Sequence, residues 1–441
     1  MNKLFILLIL FTSFSCEIIG QSWANKLDST LTILENDSLF DGQVLIAEKN
    51  EILFHKSYGS LDDSGINNTI KDNTPLVVYS VGKSFTALAI MQLKEQGLLD
   101  YNNLITKYFP NLPYHNVTIR NLLTMTSGLP RFLEIALEYG DTAKIYKNTK
   151  IVELAEKHLT SEVEPNQYFS YNNTNYILLA LIVEKVSGLS FDDYLTENIF
   201  KPAQMFNSEE TISEKVEILS NTTITAENFY QPFGIGSVKT TAFDLHNYVK
   251  ALFSYNLVSE STLNEAFKCQ LLSNGELSNY GFGWRVNDCE KLNEIYHVGD
   301  GINMRASVQY FPENKKTLIY LHANSNTYHE GVYWTVRNIW EDKPYELPIK
   351  RKAYKIDTNL YIKYVGSYKS NFGLLHISES DGKLYLRPDA IPGKEELVPM
   401  SDTLFYFKGQ NLEWKFYLDA SGEVIGFGIN GDKENMGIKQ Y

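Results

Sequence analysis

The chain has 441 residues, 44% of them hydrophobic, with charges of both signs: an ordinary folded composition with room for two or more domains. A formal net charge of −13 argues against binding to nucleic acid or to an anionic membrane surface. The three cysteines show no metal-ligand spacing, which argues against a bound metal.

Residues 1–21 read as an export signal: Lys3, an apolar stretch from Leu4 to Phe11, then small and polar residues. That stretch is too short to span a bilayer. Cleavage before Cys16 would leave a cysteine able to carry a lipid anchor, and cleavage nearer Gly20 would discard it. Either way the expected location is exported, periplasmic or secreted.

Gln43 to Tyr58 alternates about a short polar turn and predicts a β-hairpin. At "VVYSVGKSF", Gly82-Lys83-Ser84 resembles the end of a phosphate-binding loop, but Val77 stands where that loop needs its first glycine. The same stretch contains Ser80-x-x-Lys83 at the head of an apolar helix stopped by Gly97. A serine and a lysine three residues apart share one helical face. Lys83 is the only ionisable side chain between Ser80 and Leu93, so the helix should be buried all round. Burial disfavours the ammonium form and turns lysine into a proton acceptor near neutral pH, while the helix N-terminus favours a serine alkoxide. A second S-x-x-K, Ser380 to Lys383, spans an Asp-Gly hairpin turn and carries no chemistry.

A helix-rich region follows to about Phe253, and strand patterns return from Tyr280, with a final helix from about Glu330 to Trp340. Strands at both ends with helices between imply a sheet assembled from distant segments, beside a helical insert. Within this span "YNN" offers Tyr171 as a proton-transfer group and Asn173 to orient a substrate amide or the lysine. "HVGD" offers His297 to line a pocket, Gly299 to admit substrate backbone, and the Asp300 N–H as an oxyanion donor with that of Ser80. Cys269 and Cys289 are expected to be separate small hydrophobes, without a bridge. The expected domains are residues 22–341, a linker over 342–358 with two prolines and a basic run, and an all-β barrel or sandwich over 359–441, where short alternating segments are separated by turn pairs.

Ser80-x-x-Lys83, Tyr171-x-Asn173 and His297-x-Gly299 occur in the order and spacing of the three elements of class C β-lactamases, penicillin-binding D,D-peptidases, D-aminopeptidases and carboxylesterases. "TIRNLLTMTSGLP", "SGLSFDDYLTENIFKP" and "YGFGW" strengthen the likeness, and the tail resembles the lipocalin-like β-domain of such hydrolases. The resemblance implies an α/β fold, with an antiparallel sheet flanked by helices plus a helical subdomain, followed by the barrel. It implies a serine hydrolase acting on a small-molecule, peptide or ester substrate, with Ser80 as nucleophile, Lys83 and Tyr171 as the proton-transfer pair, and no cofactor. His297 stands where efficient class C β-lactamases usually have lysine, and Val298 departs from the usual Thr, Ser or Gly. An esterase or a D,D-peptidase or D-aminopeptidase is therefore expected ahead of a true β-lactamase, with a penicillin-binding acyl trap of little turnover as the alternative. A Ser/His/Asp α/β-hydrolase is disfavoured because no G-x-S-x-G occurs, and a non-catalytic scaffold has no use for a buried lysine beside a serine. The oligomeric state is left open.

Overall fold

The computed structural model describes residues 23–61, 68–132, 135, 139, 147–159, 164–211, 232–301, 304–323, 329–348, 354–370, 373–388, 395–407, 413–430, 432 and 436–440. The export signal and Cys16 lie outside these residues. Among them the chain forms two compact units, one within residues 42–323 and the other made of residues 23–41 and 329–440.

The first unit is built on a six-stranded antiparallel sheet. Its strands are β1 (Gly42–Glu48), β2 (Glu51–Tyr58), β3 (Arg285–Val286), β4 (Ile295–Asp300), β5 (Arg305–Phe311) and β6 (Lys316–His322), in the order β2-β1-β6-β5-β4-β3. The sheet does join distant segments: β1 pairs along its whole length with β6, Gly42 opposite His322 and Glu48 opposite Lys316. The β1–β2 hairpin turns at Lys49-Asn50, both at positive φ (51° and 70°), as a tight two-residue turn requires. The helix Ala242–Phe253 packs on β1 and β6.

Two apolar helices form the centre of this unit, α1 (Gly82–Glu95) and α2 (Asn173–Ser187). Every α1 residue from Gly82 to Leu93 is buried, so the helix is surrounded, as its composition requires. Gln92, a polar residue in that run, is satisfied by donating to the Asn198 and Leu257 carbonyls. The helix begins later than expected: Tyr79–Val81 is a 3₁₀ turn, and Ser80 sits on it rather than in α1. Tyr79 takes a left-handed φ of 44°, a conformation that bulky residues hold only under constraint from their surroundings.

The cysteine expectation is overturned. Cys269 and Cys289 form a disulfide, with their Cα atoms 5.8 Å apart. The intervening chain turns back on itself through the paired segments Gln270–Leu271 and Leu277–Ser278, and then enters β3. This return brings together two side chains that are 20 residues apart in sequence, within bridging range.

The second unit contains a closed barrel of eight strands, from Gly366–Ser370 to Gly437–Gln440. Its interior is packed with Tyr364, Tyr368, Phe405, Trp414, Phe416 and Phe427, whose ring centroids approach to between 4.3 and 6.1 Å. Each such ring, taken out of water, contributes roughly 1.5–3 kcal/mol. Ile356, within the segment read as a linker, is buried in this same core. Asp381 and Gly382 turn the chain between Gly373–Ser380 and Lys383–Pro388, so the second S-x-x-K spans a hairpin turn as expected.

Candidate active site

The Ser80 hydroxyl stands at the head of α1, one turn from the buried amine of Lys83. Lys83 Nζ donates to Ser80 Oγ at 3.1 Å and to the Ile235 carbonyl at 2.9 Å. Lys83 has no exposed surface. Burial pulls its pKa down from the usual lysine range to about 7, because two neutral acceptors do not make up for the water the ammonium has lost. A substantial share of the molecules therefore carries a neutral amine at neutral pH, its lone pair within reach of the serine proton.

Tyr171 and Asn173 flank the start of α2, and Asn172 between them explains why they can. The Asn172 side chain caps the helix by accepting from the Thr174 N–H at 3.0 Å, and its amide donates to the Leu129 carbonyl at 2.6 Å. With Asn172 anchored, its two neighbours remain available to the site. The Tyr171 ring lies 5.2 Å from Lys83 Nζ and 5.6 Å from the Arg285 guanidinium. Burial pushes the phenol up to about 12, against the opposing pull of the Ser80 hydroxyl and the Arg285 charge. The Tyr171 hydroxyl is near enough to Ser80 to feel that pull, yet it meets no partner in good hydrogen-bond geometry. The Asn173 side-chain oxygen is likewise buried and unpartnered. Buried polar atoms without partners at Tyr171 and Asn173, the two residues that flank the Asn172 cap, leave hydrogen-bonding capacity for a polar ligand.

The third element arrives on β4. Gly299 lies so close to the nucleophile's turn that a Cβ there would stand 2.0 Å from the Val78 carbonyl oxygen and 3.0 Å from the Ser80 nitrogen. Only glycine lets the strand come this near. The Gly301 N–H donates to the Met304 carbonyl at 2.9 Å, and Asp300 pairs with Arg305. In an antiparallel ladder successive N–H groups alternate sides. The Asp300 N–H is thus left outside the β4–β5 ladder, beside the turn that packs on Gly299. His297 is different: it is buried at 1% exposure and both of its ring nitrogens are engaged, with Tyr280 Oη at 3.1 Å from Nε2 and the Val298 carbonyl at 2.9 Å from Nδ1.

Residues 35–338 match the Beta-lactamase family model. The chain belongs to the β-lactamase family of serine hydrolases. It is 32% identical to "Penicillin-binding protein 4*" of Bacillus subtilis (strain 168) over 95% of its own length and 100% of that protein's. Among solved structures, the octameric penicillin-binding protein homologue from Pyrococcus abyssi has a TM-score of 0.57 at 21% identity, covering 94% of this chain and 99% of that one. The D-amino acid amidase from Ochrobactrum anthropi SV3 has a TM-score of 0.58 at 21% identity, covering 73% and 98%. These two likenesses are of fold.

Within this β-lactamase-family frame, sequence reasoning missed three contributors. The Ile235 carbonyl that holds Lys83 comes from "PFGIGS", where two glycines close together were the available signal. Arg285 and Tyr280 come from the "YGFGWR" stretch, noticed for its resemblance and not for its side chains. The described residues contain no group of His, Cys, Asp or Glu able to hold a metal ion.

Proposed function

We propose that the chain cleaves an amide or ester through an acyl-Ser80 intermediate. Neutral Lys83 takes the Ser80 proton as Oγ attacks the substrate carbonyl carbon, and the carbonyl oxygen, now an anion, is received by the N–H groups of Ser80 and Asp300. Tyr171, protonated in the free enzyme, hands its proton to the leaving amine or alcohol and is resupplied by the Lys83 ammonium. Water then attacks the acyl carbon and gives a proton to neutral Lys83, and the Lys83 ammonium passes that proton to Ser80 Oγ as the acyl C–O bond breaks, releasing the acid and restoring both side chains. Asn173 offers its unpartnered oxygen to a substrate N–H. One observation carries the reading: a fully buried amine 3.1 Å from the serine hydroxyl, with a pKa brought to about 7.

Of the two proton-transfer groups, Lys83 takes the serine proton in the free enzyme, since the phenol at about 12 is protonated at the pH where the amine is not. Buried, neutral His297 offers the substrate no cation where efficient class C β-lactamases usually have lysine, which supports the esterase or D,D-peptidase and D-aminopeptidase branches over a true β-lactamase. The Cys269–Cys289 bridge supports an exported location, because oxidising compartments sustain disulfides. A second reading, an acyl trap with little turnover, is favoured by the name of the penicillin-binding relative. Incubation with p-nitrophenyl esters, D-alanyl peptides, D-amino-acid amides and nitrocefin separates the two. Continued release of product supports the hydrolase, whereas a burst equal to the enzyme and then nothing supports the trap.

A further inference from the structure

His297 has two ring nitrogens and one of them faces an acceptor that can never donate. Nδ1 is 2.9 Å from the carbonyl of Val298, which favours a hydrogen on Nδ1. Nε2 is then bare, and Tyr280 Oη, 3.1 Å away, donates its proton to it. The Tyr280 hydroxyl also feels Tyr176, but Tyr176 donates its own proton to the Leu123 carbonyl at 2.9 Å. Were Tyr280 to turn its proton to Tyr176 instead, its oxygen and the bare Nε2 would face each other lone pair to lone pair. Only when Tyr280 serves His297 is the Nε2 lone pair also satisfied.

The charged and titratable groups around the pair are Lys83 on α1, Arg285 on β3, Tyr171 ahead of α2 and Tyr176 on it, with Asp300 on the same strand and Arg305 opposite on β5. Both nearby cations disfavour an imidazolium, and burial does so more strongly, bringing His297 down to about 3. The Tyr171 and His297 ring centroids are 6.3 Å apart. Without the Tyr280 proton, Nε2 would offer a further hydrogen-bond acceptor close to the phenol that exchanges a proton with the amine.

We propose that Tyr280 is a positioning residue: its hydroxyl fixes His297 as the neutral tautomer protonated on Nδ1, and so keeps the imidazole out of the Lys83–Tyr171 proton exchange. This deepens the hydrolase reading and rests on it for the kinetic consequence alone.

The test is ¹⁵N NMR of histidine-labelled protein over about pH 5–8, where an ordinary histidine titrates. The parent should show His297 with a pyrrole-type Nδ1 and a pyridine-type Nε2 that do not titrate. In Tyr280→Phe part of the pyrrole-type signal should move to Nε2. A second inflexion should join the acid limb of its kcat/KM profile, with a loss of about three- to tenfold for one neutral hydrogen bond. In a His297→Gln background the Tyr280→Phe change should add no inflexion, which separates this role from mere packing. A parent protonated on Nε2 would overturn the proposal, as would a Tyr280→Phe variant with unchanged tautomer and pH profile. The imidazole signal needs no turnover, so an inactive parent would defeat the hydrolase reading while the tautomer still decided this one. If Tyr280→Phe does not fold, the parent's tautomer and His297→Gln remain to be measured: a parent His297 that titrates within this range would by itself refute the claim.

Discussion

The chain contains the same four-residue pattern twice, and the two copies behave as opposites. Lys83 follows Ser80 into α1 and has no exposed surface there, and burial takes its pKa down to about 7. Lys383 follows Ser380 across a hairpin turn of the barrel, with its side chain 43% exposed and paired with Glu396 at 3.1 Å, which raises its pKa. The first lysine is held without a counter-charge and becomes a base. The second has both water and a carboxylate and stays a cation. Spacing alone therefore says nothing; what decides is whether the fold removes the solvent that would stabilise the ammonium.

The largest effect expected from breaking this contrast is at Lys83. Lys83→Ala should lower kcat/KM by about 10³–10⁴, the upper part of the range for a lost general base, measured on whichever ester or amide the parent turns over. Gly299→Ala comes next. Its methyl cannot share space with the Val78 carbonyl 2.0 Å away, so β4 must withdraw and take the Asp300 N–H with it, at a cost in kcat of about 10²–10³. Tyr171→Phe removes the proton carrier but leaves the ring, and should cost about 10² in kcat, with a smaller loss for substrates whose leaving groups need no proton. Cys269→Ser with Cys289→Ser releases a loop that contains Tyr280 and Arg285. It should lower stability by about 3 kcal/mol in the chain-entropy account, read as a fall in Tm. Lys383→Ala should change kcat/KM less than twofold, since an exposed ion pair contributes about 0–1 kcal/mol to stability and has no part in the site.

Much of this was legible beforehand because it depended on local chemistry. The hairpin of β1 and β2, the all-round apolar α1, the turn at Asp381-Gly382 and the short alternating strands of the barrel each follow from residues near one another in sequence. Ser80, Lys83, Tyr171 and the β4 glycine are brought together as their order and spacing suggested. What was not legible depended on how distant segments return. The disulfide forms because the Gln270–Ser278 turn folds the chain back, and nothing in two isolated cysteines announces that. The Ile235 carbonyl reaches Lys83 from 152 positions away, and a carbonyl leaves no mark in sequence. The contact between His297 and Tyr280, 17 positions apart, likewise depends on the return of the chain through β3 to β4, and burial keeps that imidazole neutral. Ser80 precedes α1 on a 3₁₀ turn that packs against Gly299 of β4, a contact between distant segments that helix propensity does not reveal.

The most direct measurement is the titration of Lys83 itself, by NMR of protein labelled at the lysine side chains and assigned by comparison with Lys83→Ala. One lysine should lose its proton near pH 7, while Lys383, whose pKa is raised by its pairing with Glu396, keeps its proton there. The kcat/KM of the parent should rise with pH through the same midpoint, because only the neutral amine can accept the serine proton. If Lys83 titrates with the surface lysines, the amine beside Ser80 is an ordinary cation and the chemistry assigned to it does not occur.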